Sequence, residues 1–313
     1  MDLGYSQPLY ILPFDHRETF AKQMFGKDSI NDLTADEKEQ IRAFKMLIYK
    51  GFKDAVERLI PTDYAAILVD EEFGEEILID ALHNGFKTLL PTEKSGEKEF
   101  KFQYEDFPAH IQKFHPSFVK ALLRYNPQDE KDLKQRQKDN LKKLSDYCHE
   151  QDFKFLVEVL VNPTETQLEE VGNKQRFDEK MRPQLIIEII GEFRKFGIEP
   201  DIWKIEGFAK VENYEAVIQA IKEGGRDGVN MVVLGRGEGK AEVGKWLEVG
   251  SKEEYFEAGA KVEGVIGFAV GRTVFWEAIK KFHKGEIGKA EVIQTVSQNF
   301  RNFYKIFTGL KSA

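Results

Sequence analysis

Short apolar runs recur along the chain, and longer stretches follow them in which apolar positions return every three or four residues. The short runs are rich in β-branched and aromatic side chains. They predict strands at Leu9 to Phe14, Tyr64 to Val69, Phe86 to Pro91, Phe118 to Leu123, Phe153 to Leu160, Asp201 to Ile205, Val229 to Leu234 and Val262 to Val270. Between them lie amphipathic patterns: Leu141, Leu144 and Cys148; Ile186, Ile189, Ile190 and Phe193; Tyr214, Val217, Ile218 and Ile221. Several strand runs are apolar throughout instead of alternating, as parallel strands covered by helices on both faces are. Eight strands interleaved with helices predict an α/β fold, a closed (β/α)8 barrel. A doubly wound open sheet shares the alternation and differs in the number of units and in closure.

The segment from Asp28 to Glu37 reads as a loop entering a helix, with Thr34 as cap and Glu37 three residues later. Ile287 to Leu310 reads as an extra C-terminal helix, packing outside the barrel or against a second subunit, which leaves a homo-oligomer open. No Pro/Ser-rich linker or low-complexity tract divides the chain, so residues 1–313 are expected to form one barrel domain.

Composition adds exclusions. A chain of 313 residues removes about 75% of its unfolded surface from water and needs no covalent staples. Cys148 is the single cysteine, which rules out an intramolecular disulfide framework and a cysteine-rich zinc site and suits a reducing compartment. Forty-six basic and 54 acidic side chains leave a formal charge of −8, the wrong sign for broad nucleic-acid binding. Nowhere do 18 apolar residues follow one another, so no membrane span is expected, and the acidic start of MDLGYSQPLYILPF does not read as a targeting peptide. A cytoplasmic location is the expectation.

In a barrel the chemistry sits where strands end. Those positions carry Asp15-His16-Arg17, Asp70-Glu71-Glu72, Glu93-Lys94-Ser95-Gly96, Arg124-Tyr125-Asn126, Glu158, Lys204 with Glu206, Gly235-Arg236-Gly237 and Gly271-Arg272-Thr273. Charges near a barrel axis are costly unless paired or used. Lys204 is flanked on both sides by apolar residues within its strand. At an ordinary pKa near 10.4 a lysine is only about 0.04% neutral at pH 7, so a nucleophilic role asks for burial or neighbouring cations, for which Lys120 and Arg124 are candidates. The alternative is a structural ion pair of Lys204 with Glu206 or Glu158.

Val232 to Gly237 and Ile266 to Val274 are glycine-bearing strand ends, the second running into a helix. Such a place suits a phosphate, with Gly235, Gly237 and Gly271 giving close backbone approach and Arg236 or Arg272 a bidentate contact; two glycine turns with solvated arginines are the plain alternative. Gly235 to Lys240 lacks the spacing of a P-loop. The six histidines show no i, i+4 pair and no HExxH pattern, so neither a metal nor a cofactor is expected. His16 reads as a substrate hydrogen bond or a supporting residue. Asp70 reads as a substrate contact or, with Glu71 and Glu72, as part of a solvated acidic loop.

Taken together, Leu12-Pro-Phe-Asp-His-Arg17, Leu68-Val-Asp-Glu-Glu-Phe-Gly74, Glu93-Lys-Ser-Gly96, Leu123-Arg-Tyr-Asn-Pro127, Asp201-Ile-Trp-Lys-Ile-Glu-Gly207, Val233-Leu-Gly-Arg-Gly237 and Gly267-Phe-Ala-Val-Gly-Arg-Thr273 resemble the 2-deoxy-5-keto-gluconate-6-phosphate aldolase family of bacterial inositol catabolism. The resemblance spans about Leu9 to His283. More distantly the chain is similar to class I aldolases acting on tagatose 1,6-bisphosphate and sulfofructose phosphate. It implies a Schiff base at Lys204, an acid/base carboxylate at Glu158, a lysine at Lys120 and an aspartate at Asp15. It also implies a phosphorylated ketose as substrate, with dihydroxyacetone phosphate and an aldehyde as products. Arg124 or Lys94 would meet a carboxylate or second phosphate. The chain departs from that pattern in reading Val161-Asn-Pro163 after Glu158, and these 313 residues hold no sugar-kinase unit of the kind often fused to such aldolases. A transaldolase using the same imine, a non-catalytic sugar-phosphate-binding barrel and a class II, metal-dependent lyase with Asp15, His16, Asp70 and Glu93 around a divalent ion are the alternatives.

Overall fold

The computed structural model describes residues 2–235, 237, 239–251 and 262–310. Eight parallel strands close into a barrel in sequence order: β1 (Leu9–Pro13), β2 (Ala65–Leu68), β3 (Lys87–Pro91), β4 (Phe118–Arg124), β5 (Lys154–Leu160), β6 (Ile202–Glu206), β7 (Asn230–Leu234) and β8 (Val265–Ala269), with β8 pairing back onto β1. The barrel with its extra C-terminal helix is the architecture the alternation predicts, and the open sheet is excluded by closure. Each strand falls inside or within a residue of its predicted run. The last is the most shortened, because Val262–Gly264 form a turn, with Gly264 at φ +98.

Side-chain alternation along each strand sorts residues between two cores. Leu9, Ile11, Leu89, Phe118, Leu156, Ile202, Val232 and Ala269 fill the barrel interior. Their neighbours Tyr10, Leu12, Leu90, Val119, Phe155, Trp203, Val233 and Phe268 point outward against the helices. Both sets are buried, which is why these strands read as unbroken apolar runs. The predicted helical faces are buried as well, Leu141, Leu144 and Cys148 on α5 (Lys131–Glu150) among them.

The long helix α2 (Ala35–Arg58) opens with the capping box of Thr34 and Glu37. The C-terminal helix α12 (Lys289–Thr308) lies on α2 and on the outer face of the β1/β8 seam, through Phe300 on Phe52, Tyr304 on Tyr10 and Phe307 on Phe268. A Cβ at Gly51 would sit 2.6 Å from Val296 Cβ, so glycine is what lets α2 and α12 approach. Among the described residues no helix is long and apolar enough to cross a membrane.

Candidate active site

The same alternation that fills the lower barrel with apolar groups carries charge into its upper end. Continuing inward positions by twos takes β1 from Leu9 and Ile11 to Pro13 and Asp15, β3 from Leu89 to Pro91 and Glu93, and β4 from Phe118 to Lys120, Leu122 and Arg124. It takes β5 from Leu156 to Glu158 and Leu160, and β6 from Ile202 to Lys204. All of the residues reached at the upper end except Pro91 line one cleft of about 270 Å³ at the carboxyl ends of the strands. The strand register sets Glu158 directly beside Lys204 and Leu122 beside Glu158.

Lys204, 2% exposed, places Nζ 2.8 Å from Glu158 Oε2. Lys120 Nζ lies 3.1 Å from the same oxygen and 3.0 Å from Asp15 Oδ2, and it also donates to Glu93 Oε1. The four residues assigned a catalytic role from the sequence, Lys204, Glu158, Asp15 and Lys120, therefore meet in one buried cluster. Their order differs from a lysine crowded by cations: a carboxylate stands between Lys120 and Lys204, and Arg124 turns its Nη1 to the Glu97 carbonyl at 2.9 Å. Glu206, the other carboxylate considered for Lys204, lies beside the buried Arg182, at 3.9 Å.

The electrostatics follow from these contacts. Burial alone would favour neutral carboxyls, but Lys120 overcomes it at Asp15 and Lys120 with Lys204 overcome it at Glu158, so both acids are held below their usual range. Burial likewise opposes the charge on Lys120, and Asp15, Glu158 and Glu93 outweigh it, keeping that ammonium charged well beyond neutrality. At Glu93 the balance tips the other way: burial and the nearby Asp15 raise its carboxyl despite Lys120. His16 lines the cleft beside Asp15 with its ring edge-on to Phe275. Burial, opposed by Asp15 and helped by Arg272, pushes its pKa down to about 4, so the imidazole is neutral at physiological pH. Its Nδ1 has no hydrogen-bond partner among the described residues.

The far side of the cleft is formed by Gly237, Gly271 and Arg272. Gly271 precedes helix α11 (Arg272–His283) and offers no side-chain cap, which brings the amino end of that helix to the cleft. A Cβ at Gly271 would lie 2.1 Å from the Pro13 carbonyl oxygen, so only glycine lets this loop close on β1. Gly237, at φ +79, has the Arg272 guanidinium against it. Gly235 is not part of the cleft wall: its N–H donates to the Ala269 carbonyl at 3.1 Å. Arg236 lies outside the described residues.

The opposite wall is a flap from Thr92 to Gln103, folded by a backbone pairing of Glu93 with Phe102 and of Lys94 with Lys101. Lys94 stands on it, half-exposed and 3.6 Å from Glu97. Asp70, like Gly235, is a sequence-predicted contact that the structure does not bring to the cleft. Its Oδ1 accepts from Phe73 N at 3.0 Å, capping α3 (Glu71–His83), and its Oδ2 accepts from the buried Lys45. With both oxygens engaged behind the barrel rim, it is a helix cap. Among the described residues no group of three or more His, Cys, Asp or Glu is disposed to hold a metal ion.

Two buried charged residues of the cleft, Glu93 and Arg17, have no role in the Schiff-base reading of the sequence. Glu93 could have been found by counting inward from Leu89 and Pro91. Arg17, 3% exposed, donates Nη2 to the Glu93 carbonyl at 2.7 Å; it follows the strand and caps α1 (Glu18–Phe25), where no periodicity points to its orientation.

Residues 4–310 match the profile of a family described as uncharacterized protein conserved in bacteria (DUF2090). No curated protein sequence matches the chain at a significant level. Among solved structures the chain is similar to Cgl0159 from Corynebacterium glutamicum (Brevibacterium flavum), with 15% identity over 94% of this chain and 86% of that one and a TM-score of 0.53. It is similar to a Schiff-base-forming fructose-1,6-bisphosphate aldolase at 11% identity, covering 93% of each chain, TM-score 0.53. It is also similar to the fructose-bisphosphate aldolase of Slackia heliotrinireducens at 12% identity, covering 98% of this chain and 87% of that one, TM-score 0.57. At these identities the likeness is one of fold.

Proposed function

From the premise that the chain belongs to the DUF2090 family, we propose that it is a class I aldolase that cleaves, or forms, a phosphorylated ketose through an imine on Lys204. The observation that carries this reading is the buried Lys204 ammonium facing the cleft, 2.8 Å from Glu158, with Lys120 beside the same carboxylate. The fold shared with two fructose-bisphosphate aldolases, one of them described as Schiff-base-forming, supports it.

Proton transfer from Lys204 to Glu158 supplies two things at once: a neutral amine for attack on the ketone carbon and a protonated carboxyl for removal of the carbinolamine hydroxyl as water. The resulting iminium accepts the bonding pair when the adjacent carbon–carbon bond breaks. Asp15, held ionised by Lys120, takes the proton from the hydroxyl on the departing carbon, which leaves as an aldehyde. The enamine is then protonated, and water hydrolyses the imine to release dihydroxyacetone phosphate and Lys204. Gly271, Gly237 and Arg272 hold the phosphate at the amino end of α11. The substrate class is a ketose bisphosphate or 2-deoxy-5-keto-gluconate 6-phosphate, the latter following from the family resemblance.

The test is to incubate the protein with dihydroxyacetone phosphate, reduce with borohydride and map the modified peptide by mass spectrometry. A covalent adduct on Lys204, absent from Lys204→Met along with turnover, is the expected result. An adduct on Lys94 or Lys120 would move the nucleophile, and a Lys204→Met enzyme with wild-type turnover would refute the imine.

A further inference from the structure

We infer that Glu93, at the exit of β3, is the positioning residue of the site: it fixes the Lys120 ammonium between Asp15 and Glu158 and so keeps Glu158 Oε2 against Lys204. This rests on the Schiff-base reading and adds a role to a residue that reading leaves idle.

Lysine carries a flexible four-carbon stem with much rotamer freedom to lose, so a catalytic ammonium needs something rigid to hold it. Asp15 and Glu158, the other two partners of Lys120, are committed to proton transfer and change charge during turnover. Glu93 is the partner that stays put. Its Oε1 accepts from Lys120 Nζ, and its Oε2 faces the Leu122 N–H at 3.3 Å, one turn of the pleat further along the same strand as Lys120. Its backbone carbonyl accepts from the buried Arg17 at 2.7 Å, and its backbone pairs with Phe102 across the flap. A side chain tied at both carboxyl oxygens and along its backbone has little freedom. Because those oxygens face protein donors, Glu93 acts through Lys120 and not on substrate.

The charge count agrees. Asp15, Glu93 and Glu158 face Lys120 and Lys204, three carboxyls for two ammoniums, with His16 neutral and Arg17 on the Glu93 backbone. Burial and Asp15 push the Glu93 carboxyl up while Lys120 and Arg17 hold it down, so of the three carboxyls Glu93 is the one whose charge is least firmly held, and its oxygen still accepts from Lys120.

The experiment compares wild type, Glu93→Gln and Glu93→Ala, each verified as folded by circular dichroism and thermal melting. It measures kcat and KM and the rate of borohydride-trappable adduct on Lys204 with dihydroxyacetone phosphate. Glu93→Ala is expected to lose about 100-fold in kcat, the scale of an ångström's misplacement of a catalytic group, with KM little changed and Lys204 trapping slowed to match. Glu93→Gln keeps an acceptor for Lys120 and is expected to stay within about tenfold of wild type. If Glu93→Ala traps Lys204 at the wild-type rate, the positioning role is overturned and the aldolase reading stands. The role is equally overturned if folded Glu93→Gln falls as far as Glu93→Ala. If wild type itself gives no Lys204 adduct, the Schiff-base reading falls and this inference with it.

Discussion

At the scale of single residues, His16 ties the site to the stability of the fold. Its pKa falls from 6.5 to about 4 on folding, chiefly through burial. The unfolded chain therefore binds a proton between these pH values that the folded chain refuses, so stability present above pH 6.5 is lost as pH drops towards 4, by up to about 3 kcal/mol. Asp15 and Glu158 lose stability in acid as well, so the comparison must be with a variant. Melting temperatures of wild type and His16→Gln between pH 4 and 7 should show a shallower acid slope for the variant, and identical slopes would exclude a buried neutral imidazole. Lys120 and Lys204 were legible in the sequence because each interrupts an apolar run, and interruption is costly enough to demand a reason. Asp70 is ambiguous for a related cause: a strand-end acid and a helix cap look the same in one dimension, and the pairing with Lys45, twenty-five residues earlier, is visible only in the fold.

At the scale of elements, Asp70 gives the sharpest contrast between stability and catalysis. Removing its carboxylate takes away the cap of α3 and leaves the Lys45 ammonium buried without its partner, a change of about 3 to 5 kcal/mol when one half of a buried pair is lost. Urea denaturation of Asp70→Ala should show a loss of that order, with KM for the ketose phosphate within about twofold of wild type in the folded protein. A raised KM at unchanged stability would return Asp70 to the substrate. The strands themselves were easy to read, since burial on both faces writes them as unbroken apolar runs. The Thr34 and Glu37 capping box was equally local. What the sequence left open about α12, outer packing or a second subunit, is answered for the chain itself by Gly51, whose missing side chain makes room for Val296 on α2's far neighbour. That complementarity joins positions 245 residues apart, and no periodicity records it.

At the scale of the whole molecule, the proposed phosphate site lies on the seam where the barrel closes. Gly271 follows β8 and packs on the Pro13 carbonyl of β1, so this loop joins the last strand to the first. An anion bound there bridges two ends of the chain and belongs to the folded state alone, since no unfolded segment reproduces the helix end together with Arg272. Free ligand at about 100 times its dissociation constant then stabilises the fold by about 2.7 kcal/mol. In a chain of this size that is a rise of about 4 °C in Tm, at about 1.5 °C per kcal/mol. Inorganic phosphate, and dihydroxyacetone phosphate more strongly because it can also bond Lys204, should each raise Tm in wild type. Arg272→Ala should abolish the phosphate shift and reduce the other. Lys204→Met should keep the phosphate shift intact while losing the extra gain from the ketone. The two variants thereby separate anion binding at the seam from carbonyl chemistry across the cleft. A phosphate shift that survives Arg272→Ala would place the anion elsewhere on the molecule and leave the amino end of α11 without its assigned ligand.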